Sequence, residues 1–278
     1  MRVYISTDIE GITGLVSWAQ CGKPSGEHYD FAFARRMYTH DVNAAIRGAR
    51  SAGATEVVVK DSHHMCKNLL VDELEPGTEL ISGYGAGLNG MMEGIEGSFD
   101  AAMLVGYHAM AGTARGLLEH ALAGGLHRFW INGQEAGEIA ASAAVAGAYG
   151  VPLVFISSDQ AGCDEAKSLI ASVGTYATKV GLGKVMAHLK HPTVTGPGIE
   201  SAAAKAMKSP PKPYVIDGPV TIRAEFHTTD LVDMAATLES VKRVDGYTVE
   251  FTRPTLLEAH SMAYTVFQLS IRGRFSGE

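Results

Sequence analysis

The sequence predicts an α/β fold in which a mostly parallel sheet with flanking helices is followed by a smaller C-terminal α+β unit. Along the first part of the chain, short apolar runs alternate with stretches long enough for a helix, which is typical of parallel strands joined by helical crossovers. Nearer the C-terminus, apolar and polar residues alternate as in half-exposed strands. We therefore expect an α/β domain at residues 1–190 and the smaller unit at residues 191–278.

Five apolar runs are the predicted strands of the first domain. They are Val3–Ser6, Val57–Lys60, Ala102–Gly106, Phe129–Asn132 and Pro152–Ile156. Between the first two, apolar residues recur near helical spacing from Tyr29 to Arg50, which predicts a helix. The alanine-rich stretch from Glu135 to Tyr149 contains strong helix formers, so we expect a buried helix there with Glu138 in its first turn.

The predicted C-terminal unit follows a segment with several prolines, His191–Pro219. Since proline fits neither a helix interior nor a central strand, we expect this segment to connect the two units. Val220–Phe226 and Thr248–Phe251 alternate like half-exposed strands, and Thr255–Ile271 is predicted as a closing helix.

Composition limits the classes of function. The chain has 278 residues, enough for one large domain or a main domain with a smaller one. It is 46% hydrophobic and 19% charged, as in ordinary globular proteins. The formal net charge is −7 and no basic stripe is present, which argues against nucleic acid as a partner and favours small molecules or peptides.

The cysteines and the N-terminus indicate a compartment. Cys21, Cys66 and Cys163 are odd in number and widely spaced, so neither a disulfide framework nor a thiolate zinc site is predicted. The sequence begins with a strand pattern in place of a signal peptide, and no apolar run is long enough to span a membrane. We therefore expect a cytoplasmic protein without a membrane partner.

Asp8 and Glu10 end the first predicted strand at positions i and i+2. In a strand this spacing puts both carboxylates on one face. Two like charges held together at the mouth of a sheet repel each other, and a bound cation commonly offsets that repulsion. The pair therefore predicts a metal site.

Three more candidate ligands follow predicted strands. His63 and His108 come directly after the second and third strands, and Glu138 follows the fourth. The carboxyl ends of parallel strands meet at one crevice of a sheet. Mixed imidazole and carboxylate ligands suit zinc, manganese, cobalt or iron(II) and form two-metal hydrolytic sites, in which Asp8 would bridge. The alternative is that these acids cap helices or hold loops.

His63 and His64 are adjacent, so strand alternation points them in opposite directions. We choose His63 for the site because it lies on the same face as Asp61. Asp61 would then orient an imidazole, as carboxylates often do around metals. A role for Asp61 as a turn cap is equally compatible with the sequence.

His120 is the candidate catalytic residue. It follows His108 after a loop with glycine and threonine that could fold over the crevice. A histidine there could take or give the proton in amide hydrolysis. The alternative is a structural histidine.

Several ordered motifs resemble the DppA-type D-aminopeptidases, a zinc metallopeptidase family. They are Ser6–Gly14, Asp61–His63, Gly106–Ala109, His120, and Ile131–Asn132 with Gly137–Glu138. The match runs in order through roughly the first 160 residues. Similarity through the C-terminal stretch Leu256–Leu269 is weaker.

This resemblance implies a centre of two zinc ions per subunit. Asp8 would bridge the ions, and the remaining ligands would be Glu10, His63, His108 and Glu138. His120 matches the catalytic histidine proposed for the family. The resemblance also implies hydrolysis of short peptides with an N-terminal D-amino acid, such as D-Ala-D-Ala, inside a homodecamer of two stacked pentameric rings.

Other functions remain open at this stage. A two-metal site does not by itself choose its acyl group, so an amidase of a non-peptide substrate is an alternative. A non-catalytic metal-binding ring protein is another. A two-metal phosphoesterase is less well supported, because few arginines or lysines stand beside the ligand motifs to neutralise phosphate.

Overall fold

The computed structural model describes residues 1–21, 30–85 and 89–272. Tyr29, where the first predicted helix begins, lies outside these ranges. The strands of the described residues are β1 (Arg2–Thr7), β2 (Glu56–Asp61), β3 (Glu79–Ile81), β4 (Ala101–Val105), β5 (Leu126–Ile131), β6 (Gln134–Ala136), β7 (Leu153–Asp159), β8 (Gly174–Gly183), β9 (Met186–Leu189), β10 (Val220–Phe226), β11 (Lys242–Arg243) and β12 (Thr248–Arg253). The helices are α1 (Trp18–Cys21), α2 (Phe31–Ser51), α3 (Glu138–Ala148), α4 (Gln160–Leu169), α5 (Pro192–Ala206), α6 (Thr229–Ala235) and α7 (Leu256–Arg272).

The first sheet is the predicted, mostly parallel one. Its strand order is β3-β2-β1-β4-β7-β8-β9, and within the described part of this sheet only the pairing of β8 with β9 is antiparallel. The central strands are apolar runs because both faces of the sheet are covered. Thr7 at the end of β1 lies opposite Asp61 of β2 and Val105 of β4. The residues that follow these three strands therefore leave the sheet at the same edge.

The second sheet is antiparallel, with the order β11-β12-β10-β5-β6. The run Phe129–Asn132, which we predicted as a strand of the parallel sheet, instead belongs to this sheet through β5. The turn after β5 explains the difference. Asn132 and Gly133 both have positive φ, 50° and 80°, as a two-residue hairpin turn requires, so β5 turns back into β6.

Strands from both sides of residue 190 form the second sheet, since β5 and β6 precede that residue and β10 to β12 follow it. The division of the chain at residue 190 stays a prediction. The segment His191–Pro219 also contains α5, a helix that the sequence analysis did not predict. Pro192 occupies the first turn of α5, where a missing N–H costs nothing, although Pro197 lies inside the helix.

Helix α3 lies between the two sheets. Ile139 and Ala143 pack into the core under the first sheet, whereas Ala141 and Ala144 pack into the core of the second sheet. A helix that contacts apolar surface on two sides has no polar face, which explains its alanine-rich sequence. Helices α2 and α5 cover the opposite face of the first sheet. The N-terminus of α3 therefore opens beside the strand ends of the first sheet.

A search of the described helices finds none with the length and apolar character needed to cross a bilayer.

Candidate metal centre

The predicted site residues come together at the edge where β1, β2 and β4 end. Asp8 and Glu10 follow β1, His63 follows β2, His108 follows β4, and Glu138 is the first residue of α3. All five side chains are buried. His64, in contrast, is exposed, so the structure brings the predicted member of the histidine pair into the site.

Two glycines allow the loops after β1 and β4 to pack backbone against backbone. Gly11 donates its N–H to the carbonyl of Gly106 at 2.7 Å. A Cβ atom at Gly11 would lie 1.9 Å from the Tyr107 carbonyl oxygen, and one at Gly106, where φ is +77°, would lie 2.1 Å from that of Asp8. Larger residues at either position would separate the two loops that hold Asp8, Glu10 and His108.

Asp8 lies between two imidazoles. Its Oδ1 is 3.2 Å from His63 Nδ1, and its Oδ2 is 3.6 Å from His108 Nε2. Glu10 Oε2 approaches the same His63 nitrogen at 3.4 Å, and Glu138 Oε2 approaches the same His108 nitrogen at 3.2 Å. Asp8 thus lies beside both histidines. Each histidine also has a second carboxylate beside it, Glu10 for His63 and Glu138 for His108.

Backbone carbonyls fix which nitrogen of each imidazole faces the carboxylates. His63 Nε2 lies 3.0 Å from the Cys21 carbonyl oxygen, and His108 Nδ1 lies 2.9 Å from that of Ala109. A carbonyl oxygen only accepts hydrogen bonds, so these two nitrogens must carry the N–H. His63 Nδ1 and His108 Nε2 therefore present a lone pair in the neutral ring. This arrangement is common among histidines that bind metals.

Unpaired buried atoms support the same conclusion. Asp8 Oδ2, Glu10 Oε2 and His108 Nε2 are buried and have no hydrogen-bond partner among the described residues. Unpaired buried polar atoms are rare because each loses its hydration without compensation. Divalent cations would satisfy these atoms, and oxygen and imidazole nitrogen donors suit zinc and related transition metals. The donor set therefore fits a metal centre.

Protein groups alone shift the pKa values of the carboxyls in opposite directions. Burial, and then the negative charge of Glu10, raises the pKa of Asp8 to about 8. Burial also raises the pKa of Glu10, but the charge of His63 and its hydrogen bond outweigh burial and hold that pKa well below its usual range. In Glu138 burial is likewise outweighed, chiefly by His108, so its pKa is lowered. Among the metal-free protein groups, the two imidazoles thus stabilise the charges of Glu10 and Glu138, and Asp8 is the carboxyl left without a counter-charge.

Ligand atoms of the site also form three groups, within each of which all atoms lie within 4.8 Å of one another. The groups are Asp8, Glu10 and His108; His108, His120 and Glu138; and Glu10, Cys21 and His63. Cys21 is a neighbour that the sequence analysis missed, because it lies in the short helix α1 and not at a strand end. Burial, followed by the charges of Glu10 and Asp8, raises the pKa of the Cys21 thiol.

His120 adjoins the centre on its open side. Its ring stacks on that of His108, with centroids 4.0 Å apart, and its Nε2 lies 3.7 Å from Glu138 Oε1. Its Nδ1 donates to the Leu118 carbonyl at 3.0 Å, which leaves Nε2 with the lone pair. Burial, with the nearby His108, lowers the pKa of His120, so its imidazole is neutral at pH 7. The edge of Trp18 packs against the ring at a centroid distance of 5.1 Å.

Asp61 acts as a turn cap. Its carboxylate accepts hydrogen bonds from the backbone N–H groups of Asn68 and Leu69, at 2.5 and 2.8 Å, and from the Asn68 side chain. The alternative, that Asp61 orients an imidazole, is not found in the structure. Asn68 in turn donates to the His63 carbonyl at 2.8 Å, so Asp61 supports the His63 loop indirectly.

Lys179 holds the loop that contains Glu10, a role with no signal in the sequence. The residue is fully buried in β8, and its Nζ donates to the carbonyls of Glu10, Ile12 and Leu15 at 2.6, 2.8 and 2.7 Å. Three acceptors match the three donors of an ammonium group. The hydrogen-bonding capacity of Lys179 is therefore used entirely inside the fold.

An open cleft of about 650 Å³ leads to the centre. Its walls contain the side chains of Asp8, Glu10, His63, His120 and Glu138 together with the larger residues Trp18, Tyr84, Met91 and Tyr264. The volume is within the range of pockets that bind small organic ligands. The arrangement can thus bring a small substrate to the carboxylates and to His120.

The chain is similar to known D-aminopeptidases. A family model described as D-aminopeptidase, Peptidase_M55, matches residues 1–265. A D-aminopeptidase of Bacillus subtilis (strain 168) is 32% identical over 280 residues, which cover 99% of this chain and 100% of that protein. The solved structure of the Zn-dependent D-aminopeptidase DppA from Bacillus subtilis, described as a self-compartmentalizing protease, matches with a TM-score of 0.93 and 31% identity, over 99% of this chain and 100% of that one.

Proposed function

Because the chain belongs to the Peptidase_M55 family of D-aminopeptidases, we propose that it is a zinc-dependent aminopeptidase that hydrolyses short peptides with an N-terminal D-amino acid, such as D-Ala-D-Ala. The proposal includes two zinc ions per subunit. Asp8 would bridge them, Glu10 and His63 would hold one ion, and His108 and Glu138 the other.

The position of Asp8 is the observation that supports two ions. Its two oxygens face different imidazoles, and each imidazole has a second carboxylate beside it. A single ion would leave one of these nitrogen and carboxylate sets unpaired in a buried place. Two ions use both sets, with the bridging carboxylate between them.

When bound, zinc at this centre would activate a water molecule and polarise the scissile carbonyl. The chain's own residues supply the remaining functions. His120, neutral and with Nε2 directed at the centre, can take a proton and pass it to the leaving amine. Its hydrogen bond to the Leu118 carbonyl keeps the ring in one tautomer, and contact with Trp18 restricts the ring's rotation. Trp18, Tyr84 and Met91 in the cleft wall offer apolar surface to a bound peptide.

The cleft also supports a peptidase over two of the alternatives. A structural metal site would be closed, whereas this centre lies on an open cleft beside His120. A phosphoesterase would need cations for the phosphate, and no lysine or arginine lines the main cleft within the part of the chain that the structure describes. An amidase of a non-peptide substrate would use the same residues, so substrate profiling must separate it from a peptidase.

The proposed function is tested by hydrolysis of D-Ala-D-Ala beside L-Ala-L-Ala, with zinc content measured on the same sample and activity repeated after chelation. We expect cleavage of the D-peptide, about two zinc ions per chain as for a bridged two-metal site, and loss of activity with chelator that returns with zinc. Zinc binding without cleavage of either peptide would contradict the peptidase and direct the search to non-peptide amides.

We also propose that copies of this chain assemble with one another, as a decamer of two pentameric rings. The hairpin of β8 and β9 at the edge of the first sheet exposes an apolar surface, which supports this proposal. We call this surface the hairpin patch; its members are Val180, Leu182, Val185, Met186 and Leu189, each between 40% and 60% exposed. The three cysteines are buried and free, which supports a reducing cytoplasmic location.

Replacement of Leu182 and Met186 by aspartate together is expected to shift the protein to smaller species in sedimentation velocity. Two buried charges in an apolar contact would cost several kcal/mol per interface. The control is Val71→Asp, since Val71 is 68% exposed in the turn after β2 and lies outside the hairpin patch. An unchanged sedimentation profile for the double variant would rule out the hairpin patch as the assembly surface.

A further inference from the structure

A second cavity adjoins the main cleft. Its volume is about 190 Å³. Ser62, Tyr84, Met91 and Tyr264 line both spaces, so the two spaces meet at these side chains. The second cavity is also lined by Lys60, which neither the proposed metal centre nor the proposed proton transfer uses.

Lys60 is a buried cation with spare hydrogen-bonding capacity. It is 3% exposed, and its Nζ donates to the Asp61 carbonyl at 2.5 Å. The Cys66 thiol, a weak acceptor, is its other neighbour. Lys179, the other buried lysine described above, has three carbonyl acceptors. Among the described residues, Lys60 thus has one oxygen acceptor for three N–H donors.

Among the described residues, Lys60 forms no ion pair with the one carboxylate that lines the second cavity. Glu93 also lines the cavity, but its Oε2 accepts a hydrogen bond from the Asn89 backbone at 3.1 Å. No carboxylate of the described residues forms an ion pair with Lys60. A buried ammonium without a counter-ion is costly, so a cavity wall of this kind favours an anionic ligand.

The position of Lys60 relative to the metal centre limits what that anion can be. Lys60 precedes His63 by three residues, so their Cα atoms lie at most about 11 Å apart. In a dipeptide the carboxylate oxygens lie at most about 5 Å from the scissile carbonyl carbon. The contact with the centre at one end and the hydrogen bond at the other add about 5 Å more, so a dipeptide or tripeptide can span a distance of this size. A carboxylate at this cavity would accept a charge-assisted hydrogen bond from the Lys60 ammonium.

We propose that Lys60 binds the C-terminal carboxylate of the peptide substrate, so that the second cavity selects free short peptides over peptide amides and longer chains. This inference rests on the proposed function of the main cleft. It adds a residue for the end of the substrate opposite to the amine, and it predicts an upper limit on peptide length, because a cavity of about 190 Å³ holds only a short segment of chain.

The test compares kcat/KM for D-Ala-D-Ala with that for D-Ala-D-Ala amide, in the zinc-loaded wild-type protein and in the Lys60→Met variant. Loss of a hydrogen bond to a charged group corresponds to about 10- to 100-fold. We expect the wild-type protein to prefer the free acid by about that factor. In Lys60→Met the preference should disappear because kcat/KM falls for the free acid alone. Lys67→Met is the matched control, since Lys67 is exposed on the following loop.

Different outcomes separate this inference from the proposed function. Equal cleavage of acid and amide by the wild-type protein would overturn the role of Lys60 while the peptidase stands, and so would a parallel loss on both substrates in Lys60→Met. Cleavage of neither substrate by the zinc-loaded wild-type protein would overturn the proposed function and this inference with it. If Lys60→Met does not fold, the acid-to-amide ratio of the wild-type protein and of Lys60→Arg decides, because arginine keeps the charge.

Discussion

Replacement of Asp8 by alanine is expected to lower kcat/KM for D-Ala-D-Ala by at least about a thousandfold, because metal ions supply several kcal/mol of transition-state stabilisation. Asp8 is the carboxylate whose two oxygens face the two imidazoles, His63 and His108. Its loss should therefore weaken both proposed metal positions together. Zinc content, measured on the same samples by atomic absorption, should fall by at least one ion per chain.

Two companion variants sharpen this test. Asp8→Asn keeps the size of the side chain and one oxygen but removes the charge, so it should also lose zinc and activity. Asp72→Ala removes an exposed aspartate from the turn after β2 and should change neither. Full activity of Asp8→Ala with its zinc retained would defeat the bridging assignment.

Replacement of His120 by alanine is expected to leave zinc content unchanged and to lower kcat by about 10²- to 10⁴-fold, the usual contribution of a general acid or base. The neutral ring presents Nε2 to the open side of the centre, 3.7 Å from Glu138. It is not among the five proposed ligands, so the metal ions should stay bound. The measurement is steady-state kinetics on D-Ala-D-Ala with zinc analysis of each preparation.

His120→Gln distinguishes two roles for this side chain. Glutamine can donate a hydrogen bond to a developing negative charge, but it cannot exchange a proton near neutral pH. If His120 transfers the proton, the glutamine variant should be as slow as the alanine variant. If it only stabilises the oxyanion, glutamine should recover part of the activity. Unchanged turnover in both variants would make His120 a structural residue.

The parallel sheet could be predicted from the sequence because its central strands are buried on both faces. Such strands appear as continuous apolar runs, as in Val57–Lys60 and Ala102–Gly106. The same apolar pattern led to the wrong prediction that Phe129–Asn132 belongs to the parallel sheet. That run pairs with β10, where Ile131 lies opposite Ile222, and pairing with a partner this distant leaves no local trace. The Asn132-Gly133 turn was the signal that could have identified the hairpin.

The site residues that follow strands could also be predicted from the sequence. Asp8, His63 and His108 follow strands whose register is set by the sheet, so their convergence follows from the topology. Lys179 and Cys21 could not be found in this way. Lys179 contacts residues 164 to 169 positions away in the chain, and nothing in the sequence near β8 indicates which carbonyls it will meet.

The proposed centre takes its ligands from segments that follow strands of both sheets. Asp8, His63 and His108 belong to loops of the first sheet, whereas Glu138 comes directly after the hairpin of the second sheet. A metal ion held between His108 and Glu138 would crosslink a loop of the first sheet to the N-terminus of α3, beneath the cleft. Bound zinc would then stabilise the contact between these two segments in addition to supplying the chemistry. Chelation should therefore make the stretch between β4 and α3 more accessible to proteases before either core unfolds.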